Sequence, residues 1–133
     1  MASWLGFESR VALRFLRPAE GAEVVFSQPV FELNTLEHFL RRTEHLGLKF
    51  MLGIIPLRTA RHAEFLHYEV PGMVVPEWVR RKMNQTTGVE QSMEQGMKIA
   101  VEFLREAKPM ISGVYIMPPA KKYQMAVEML GLI

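Results

Sequence analysis

The chain has 133 residues, of which 49% are hydrophobic and 23% charged, and its formal net charge is +2 at pH 7. This length suits one domain with the composition of an ordinary globular protein. Cysteine is absent, which excludes disulfides, thiolate metal sites and cysteine nucleophiles. No apolar run reaches the ~18 residues of a membrane span, and the first residues lack a signal-peptide pattern, so we expect a cytoplasmic protein that binds no membrane.

The chain divides into residues 1–20, an N-terminal segment, and residues 21–133. Within the first, residues 11–16 can be helical, but Pro18 disfavours continuation of a helix. In the second, strand-like and helix-like stretches alternate. That alternation predicts an α/β fold whose parallel strands are joined by crossover helices.

Three short apolar runs predict strands that stop at a proline. They occupy residues 24–28, 49–55 and 113–117. The first run is apolar and β-branched, which predicts a strand buried on both faces. Proline has no amide hydrogen to donate to a neighbouring strand, so each strand should end where its proline begins.

Helices are predicted from caps and from periodic apolar residues. Asn34 with Glu37 matches a capping box, and Gly47 is a natural stop after the stripe of Leu36, Phe39, Leu40 and Leu46. Thr59 can cap a second helix that buries Ala63 and Leu66, and Pro76 suits the start of a short third helix.

The longest helix signal spans residues 89–108. Its apolar stripe consists of Val89, Met93, Met97, Ala100, Phe103, Leu104 and Ala107. A final helix is predicted over residues 120–130, with Ala126, Val127 and Leu130 available for burial.

Ligands of parallel α/β folds bind at the carboxyl ends of the strands, so the residues there form the candidate site. Gln28 stands at the first of these ends. Its amide has donors and an acceptor in one plane, which suits the edge of a heterocycle such as a pterin. The alternative is that the amide only hydrogen-bonds a loop, and position alone does not decide between the two.

The segment 62–69 (HAEFLHYE) invites a metal assignment. However, His62 and His67 are five residues apart, so they point to different sides of a helix and lack the zincin spacing of four. We therefore predict no metal site. His62, near the helix start, can face a ligand, whereas His67 is expected to be structural.

Other patterns that carry chemistry are missing. The chain has no Asp, no glycine-rich phosphate loop after a strand and no Gly-x-Ser-x-Gly elbow. Basic clusters at residues 80–82 and 121–122 lack interleaved aromatic residues, which favours solvated helix faces over nucleic-acid binding. The residues alone thus indicate a parallel α/β domain compatible with a small-molecule site, with no catalytic residue assigned.

Four segments in a fixed order resemble the C-terminal part of the methylenetetrahydrofolate reductase barrel. Residues 26–31 (FSQPVF) look like the Thr-Gln-Pro segment of its sixth strand, and residues 53–57 (GIIPL) are similar to the Gly-Ile-x-Pro segment of its seventh. Residues 62–72 (HAEFLHYEVPG) resemble the form found in reductase domains fused to homocysteine methyltransferase. Residues 113–119 (GVYIMPP) look like the eighth strand.

The resemblance implies a partial (β/α)8 TIM barrel of about three strands, since a whole one needs ~250 residues. The family uses FAD and reduced nicotinamide to convert methylenetetrahydrofolate to methyltetrahydrofolate, in one-carbon metabolism and methionine biosynthesis. Its general-acid Glu and most flavin contacts lie on earlier strands. This chain, residues 21–133 in particular, is therefore expected to bind no FAD by itself and to reduce nothing alone.

The same resemblance implies residues on the folate side. Gln28 would hydrogen-bond the pterin, and His62 takes a position where the family places Gln or Asn against the folate. Phe65 or Leu66 would supply an apolar contact with the folate. Met117 would line the folate pocket, and Lys121 or Lys122 would contact the glutamate tail.

Two functions are open on the sequence. The chain is either the C-terminal, folate-facing portion of a reductase, completed by a separate N-terminal barrel chain, or a non-catalytic half-barrel that forms homo-oligomers. The second follows because three parallel strands leave two unpaired edges that can pair with another chain. A basic nucleic-acid binder is a third and much weaker reading.

Overall fold

The computed structural model describes residues 21–118 and 123–133. Its strands are β1 (Val24–Pro29), β2 (Lys49–Ile54) and β3 (Gly113–Ile116). Its helices are α1 (Leu33–Thr43), α2 (Ala60–Tyr68), α3 (Glu77–Asn84), α4 (Val89–Ala107) and α5 (Tyr123–Gly131). The helix predicted within residues 11–16 and the lysines at positions 121 and 122 lie outside these described ranges.

The strands form one parallel sheet in the order β1-β2-β3. Val24 pairs with Lys49 at one end of β1, and Ile54 of β2 pairs with Ile116 of β3. Each strand is joined to the next by helices, so the predicted α/β fold with three parallel strands is confirmed. The strands end at or just before a proline, as expected for a residue that donates no backbone hydrogen bond.

One face of the sheet carries the main hydrophobic core. Phe50, Leu52 and Ile54 alternate along β2 and are at most 4% exposed. They pack against α1, α4 and α5 through residues that include Leu36, Leu104 and Met129. Period-two alternation places Met51 and Gly53 on the opposite face.

A second core lies between α2, α3 and the middle of α4. Its buried side chains are Phe31, Leu57, Ala63, Leu66, Met73, Val75, Val79, Met83 and Ile99. The predicted burial of Ala63 and Leu66 is therefore confirmed. None of the helices within residues 21–118 and 123–133 combines the length and apolar character needed to cross a membrane.

The opposite face of the sheet has no layer over it among the described residues. We call it the open face and define it by Val24, Phe26, Met51, Gly53, Gly113 and Tyr115. Phe26 is 63% exposed and Val24 is 40% exposed. The prediction that β1 is buried on both faces is therefore wrong. Both faces of this strand carry apolar side chains, but the helices cover only one of them.

The helix caps agree in part with the sequence. Gly47 adopts a left-handed φ of 63° after the 3-10 turn that follows α1, and the Thr59 hydroxyl accepts from the His62 amide at 3.1 Å. The predicted capping box at Asn34 is wrong. Helix α1 begins at Leu33 after an N-cap Glu32, and the Thr35 hydroxyl donates to the Glu32 carboxylate instead.

Two helix faces differ from their predicted stripes. In α5 the predicted burial of Val127 and Leu130 is wrong, because these residues are 66% and 54% exposed. Met125 and Met129 are buried there instead. Val89, at the first turn of α4, is also 58% exposed, since the core begins further along that helix.

Candidate functional site

The carboxyl end of β1 is bulged. Phe26 pairs with Met51 and Pro29 pairs with Gly53, so β1 advances three residues where β2 advances two. The Ser27 hydroxyl accepts from the Gly53 amide at 3.0 Å and donates to the Gln28 carbonyl at 2.7 Å. The serine side chain thus satisfies a β2 amide within the bulge, and bulges of this kind redirect the neighbouring side chains.

Gln28 follows Ser27 in this bulge and is exposed. No side-chain hydrogen bond joins its amide to another residue of the described chain. From the sequence, the Gln28 amide was expected either to contact a ligand or to hydrogen-bond a loop. No described residue forms that hydrogen bond with it. Its donors and acceptor are therefore available at the carboxyl edge of the sheet.

Tyr115 covers part of the open face. Its hydroxyl donates to the Ser27 carbonyl, and its ring meets Phe26 edge-on with centroids 5.6 Å apart. A Cβ added to Gly53 would lie 2.7 Å from the Tyr115 hydroxyl, so the ring crosses the sheet directly above that glycine. Burial raises the pKa of Tyr115, which keeps this hydrogen-bond donor protonated at neutral pH.

Sequence reasoning missed Tyr115, although two signals pointed to it. It stands two residues before Met117, on the same side of a strand. The small residue at Gly53, its partner in the β2–β3 register, leaves room for a large ring.

His62 lies in the first turn of α2, which follows β2. Its Nδ1 accepts from the Arg58 amide at 3.2 Å, so the neutral ring carries its proton on Nε2. Burial and the nearby Arg58 guanidinium lower the pKa of His62. The imidazole is thus held in one tautomer and offers an N–H donor.

Arg58 adds a buried donor to this loop. Its Nε is buried and has no hydrogen-bond partner among the described residues. This residue has no distinguishing sequence signal, because a single arginine after a strand is common.

The two alternatives for an apolar ligand contact differ in exposure. Phe65 is 52% exposed, whereas Leu66 is 5% exposed and packs in the second core. Of the pair, Phe65 has a ring that a ligand can reach. Leu66 serves to anchor α2, since its side chain is buried in the second core.

Met117 follows β3 and is 36% exposed. Its amide donates to the Ile54 carbonyl at 2.9 Å, which extends the sheet by one step beyond the strand proper. It lies at the same edge as Gln28 because the three strands are parallel. Lys122 lies outside the described residues.

His67 is structural in the described chain, as its position suggested. Its Nδ1 accepts from the Val75 amide at 3.2 Å, which ties α2 to the segment before α3. Arg80 reinforces the same junction by donating to the Glu64 carboxylate and the Val75 carbonyl, each at 3.2 Å. These bonds hold residues 69–75 in place below α2.

The basic cluster on α3 is engaged within the protein. Arg80 pairs with Glu64, Arg81 pairs with Glu77 at 3.0 Å, and the Lys82 ammonium lies 5.4 Å from the Trp78 ring centroid. Within residues 21–118 and 123–133, no group of three His or Glu side chains is placed to hold a metal ion.

Comparison with known proteins gives no further guide to this site. No protein-family model matches the sequence, and no curated protein matches it.

Acidification is expected to destabilise the fold through His62 and His67. Burial is the main cause that lowers the pKa of both histidines. Arg58 also lowers the pKa of His62. Arg80 also lowers the pKa of His67, whereas Glu64 raises it. Each folded pKa lies below the unfolded value of about 6.5, so the unfolded state binds more protons in that interval. The stabilisation is complete above pH 6.5 and is lost as pH falls through the folded pKa values.

Urea unfolding at pH 7.5 and pH 5.0 measures this loss. The double variant His62→Gln/His67→Gln should lose less stability between the two pH values than the native chain does. The matched variant His38→Gln/His45→Gln changes two exposed histidines and should lose as much as the native chain. Equal losses in all three proteins would contradict the assignment.

Proposed function

We propose that this chain is the C-terminal, folate-facing portion of a methylenetetrahydrofolate reductase-like oxidoreductase of one-carbon metabolism, and that it is inactive alone. In this proposal the three parallel strands are adjacent strands of a (β/α)8 barrel. The observation that carries it is the exposed Gln28 amide, unpaired within the described residues, in a bulge at the carboxyl end of β1. A planar amide in that position suits the donor and acceptor edge of a pterin.

Three further residues after the carboxyl ends of β2 and β3 support the same ligand class. At the same edge of the sheet, the His62 ring presents an Nε2 donor fixed by its bond to the Arg58 amide. The exposed Phe65 ring and Met117 side chain supply apolar contact area. Clefts for heterocyclic ligands combine such apolar surfaces with a few directed polar groups. Lys121 and Lys122 are proposed to approach the glutamate tail on sequence grounds.

We assign FAD to a complementary N-terminal barrel chain and not to the described residues. Two of the strand ends carry Pro29 and Pro56, which have no amide hydrogen for a phosphate oxygen. At the start of α2, the Arg58 and His62 amides already donate to His62 Nδ1 and the Thr59 hydroxyl. Both of these amides are therefore engaged, although the buried Arg58 Nε has no partner among the described residues.

The proposal is tested by titrating the purified chain with a reduced folate, 5-methyltetrahydrofolate, in a calorimeter. Removing the amide in Gln28→Ala should weaken binding at least about tenfold, since directed hydrogen bonds to a ligand contribute on the order of 1.4 kcal/mol or more. The matched variant Gln124→Ala alters an exposed glutamine on α5 and should bind like the native chain.

Two results would overturn the folate assignment. One is no measurable binding by the native chain, and the other is equal binding by the two glutamine variants. Copurification of a flavin-bearing partner, seen as flavin absorbance in the purified complex, would support the completion of the barrel by a second chain.

The second candidate function is a non-catalytic half-barrel that self-associates. It is favoured by the unpaired outer edges of β1 and β3 in the described sheet. Light scattering over a range of protein concentrations tests it directly. A mass that rises to a dimer or larger favours this candidate, and a constant monomer mass counts against it.

A further inference from the structure

Tyr115 stands on β3, but its hydroxyl reaches the backbone of β1 beside Gln28. Across the width of β2, the hydroxyl donates to the Ser27 carbonyl, which belongs to the peptide that joins Ser27 to Gln28. We propose that Tyr115 is a positioning residue for the candidate site, and that it holds the bulge of β1 in the form that presents the Gln28 amide. The ligand is that of the proposed function, on which the proposal rests for its binding test.

The bulge of β1 lacks part of the regular hydrogen-bond ladder. Ser27 and Gln28 lie together opposite the single residue of β2 between its two paired positions. A bulge disrupts the ladder locally, so its shape depends on the other hydrogen bonds that reach it. Gln28 is one of the two bulged residues, and its side chain therefore moves with any change in the shape of the bulge.

Side-chain hydrogen bonds fix the peptide groups on both sides of Gln28. The Ser27 carbonyl accepts from Tyr115, and the Gln28 carbonyl accepts from the Ser27 hydroxyl at 2.7 Å. The same hydroxyl accepts from the Gly53 amide at 3.0 Å, which ties the bulge to β2. Because both flanking peptide planes are held, the direction of the Cα–Cβ bond of Gln28 is held as well.

The absence of a side chain at position 53 makes room for this contact. A Cβ on Gly53 would lie 2.7 Å from the Tyr115 hydroxyl oxygen and 3.0 Å from the Ser27 carbonyl oxygen. Alanine there would therefore push apart the donor and the acceptor of this hydrogen bond. Position 113, on the same open face, offers a matched contrast. A Cβ on Gly113 would meet the sulfur and the methyl group at the flexible end of Met51.

The ring of Tyr115 is placed by contacts that need no ligand. Tyr115 pairs with Gly53 in the register of β2 and β3, and its ring meets the Phe26 ring edge-on with 5.6 Å between centroids. Burial raises the pKa of Tyr115, so the hydroxyl remains a donor at neutral pH. The bulge is therefore organised before a ligand arrives, and preorganisation of this kind lowers the cost of ordering on binding.

Nuclear magnetic resonance of the 15N-labelled chain tests the positioning without any ligand. Tyr115→Phe removes the hydroxyl donor, so the backbone order parameter of Gln28 should fall from about 0.85, typical of rigid backbone, toward about 0.6. Hydrogen exchange at the Gly53 amide should become about three- to tenfold faster, the change expected when a neutral hydrogen bond is lost. The matched variant Tyr123→Phe removes a hydroxyl that is exposed on α5 and should change neither quantity.

Gly53→Ala provides a second perturbation that keeps the tyrosine. It should lower the Gln28 order parameter as Tyr115→Phe does. Gly113→Ala should leave the order parameter unchanged, because the end of the Met51 side chain can move aside. Circular dichroism shows whether each variant is folded.

A double-mutant cycle with 5-methyltetrahydrofolate then asks whether Tyr115 acts through Gln28. In calorimetry, Tyr115→Phe should weaken binding about three- to tenfold in the native chain. It should have no further effect on Gln28→Ala, because a positioning residue is silent once the amide that it positions is gone. A purely structural role would weaken binding equally in both backgrounds. Ser27→Ala should behave like Tyr115→Phe, whereas Ser27→Thr keeps the hydroxyl and should bind like the native chain.

Two outcomes would overturn the positioning role. One is a Gln28 order parameter and a Gly53 exchange rate that Tyr115→Phe leaves unchanged. The other is an equal loss of folate affinity in the native and Gln28→Ala backgrounds. A native chain that binds no folate would overturn the folate proposal instead, since the order parameter and the exchange rate are measured without ligand and still decide the role of Tyr115.

Discussion

Replacing Gly96 by alanine is expected to lower the free energy of unfolding by about 1–3 kcal/mol, the range typical of an overfilled core. Gly96 lies in the middle of α4, where the helix touches the loop after β2. A Cβ at this position would lie 1.9 Å from the Leu57 carbonyl oxygen and 2.7 Å from its carbon. These are backbone atoms of a buried residue, so they cannot rotate away as a side chain would.

The direction of this effect opposes helix propensity. In an exposed helix interior, alanine is more favourable than glycine by about 1 kcal/mol. Gly131→Ala provides the matched control, because a Cβ there meets no atom within 4 Å. Urea unfolding followed by circular dichroism should show a lower midpoint for Gly96→Ala and an unchanged or higher midpoint for Gly131→Ala. A neutral or stabilising Gly96→Ala would mean that α4 and the loop are further apart.

The Gly96 contact also bears on the candidate site. Leu57 lies in the loop between β2 and α2, which also contains Arg58 and Thr59, and His62 stands in the first turn of α2. Pushing Leu57 away from α4 would shift the Arg58 amide that fixes the His62 ring. Weaker folate binding by Gly96→Ala is therefore expected alongside the loss of stability, while Gly131→Ala should leave binding unchanged.

The elements that the sequence predicted well depend on local chemistry. Strand β2 ends at Ile54, two residues before Pro56, which cannot donate to a neighbouring strand. Thr59 caps α2 because its hydroxyl accepts a hydrogen bond from the amide three residues later. Such features are decided within a few residues of chain, and the structure contains both.

The features that the sequence did not predict depend on pairing across the fold. The bulge at Ser27 exists only relative to β2, and the Tyr115 ring lies over Gly53 because two strands place them side by side. The exposure of Phe26 likewise depends on which face the helices cover. An apolar run in the sequence shows that both faces of a strand are apolar, but it does not show what lies over each.

Helix α5 illustrates the same limit within one helix. Its apolar residues lie on more than one side, so periodicity alone offered Ala126, Val127 and Leu130 as the buried set. The sheet and α4 lie on the side of Met125 and Met129. Tertiary contact, not the pattern itself, selects the buried side.

Met129→Ala is expected to cost about 2–5 kcal/mol, the range for truncating a buried large aliphatic side chain. Met129 is 0% exposed and belongs to the core cluster that contains Leu52 of β2 and Leu104 of α4. Truncation would leave a cavity against the central strand. Its neighbour Leu130 is 54% exposed, so Leu130→Ala should change stability by about 0.5 kcal/mol or less.

The pair separates the observed packing of α5 from the packing that periodicity favoured. Both substitutions remove an apolar side chain of similar size from adjacent positions of one helix, and both replace it with the best helix former. Differences in helix propensity are therefore small, and burial decides the outcome. If Leu130→Ala proved the more damaging substitution in urea unfolding, α5 would have to turn the side of Leu130 to the sheet, and the core around Leu52 would need a different partner.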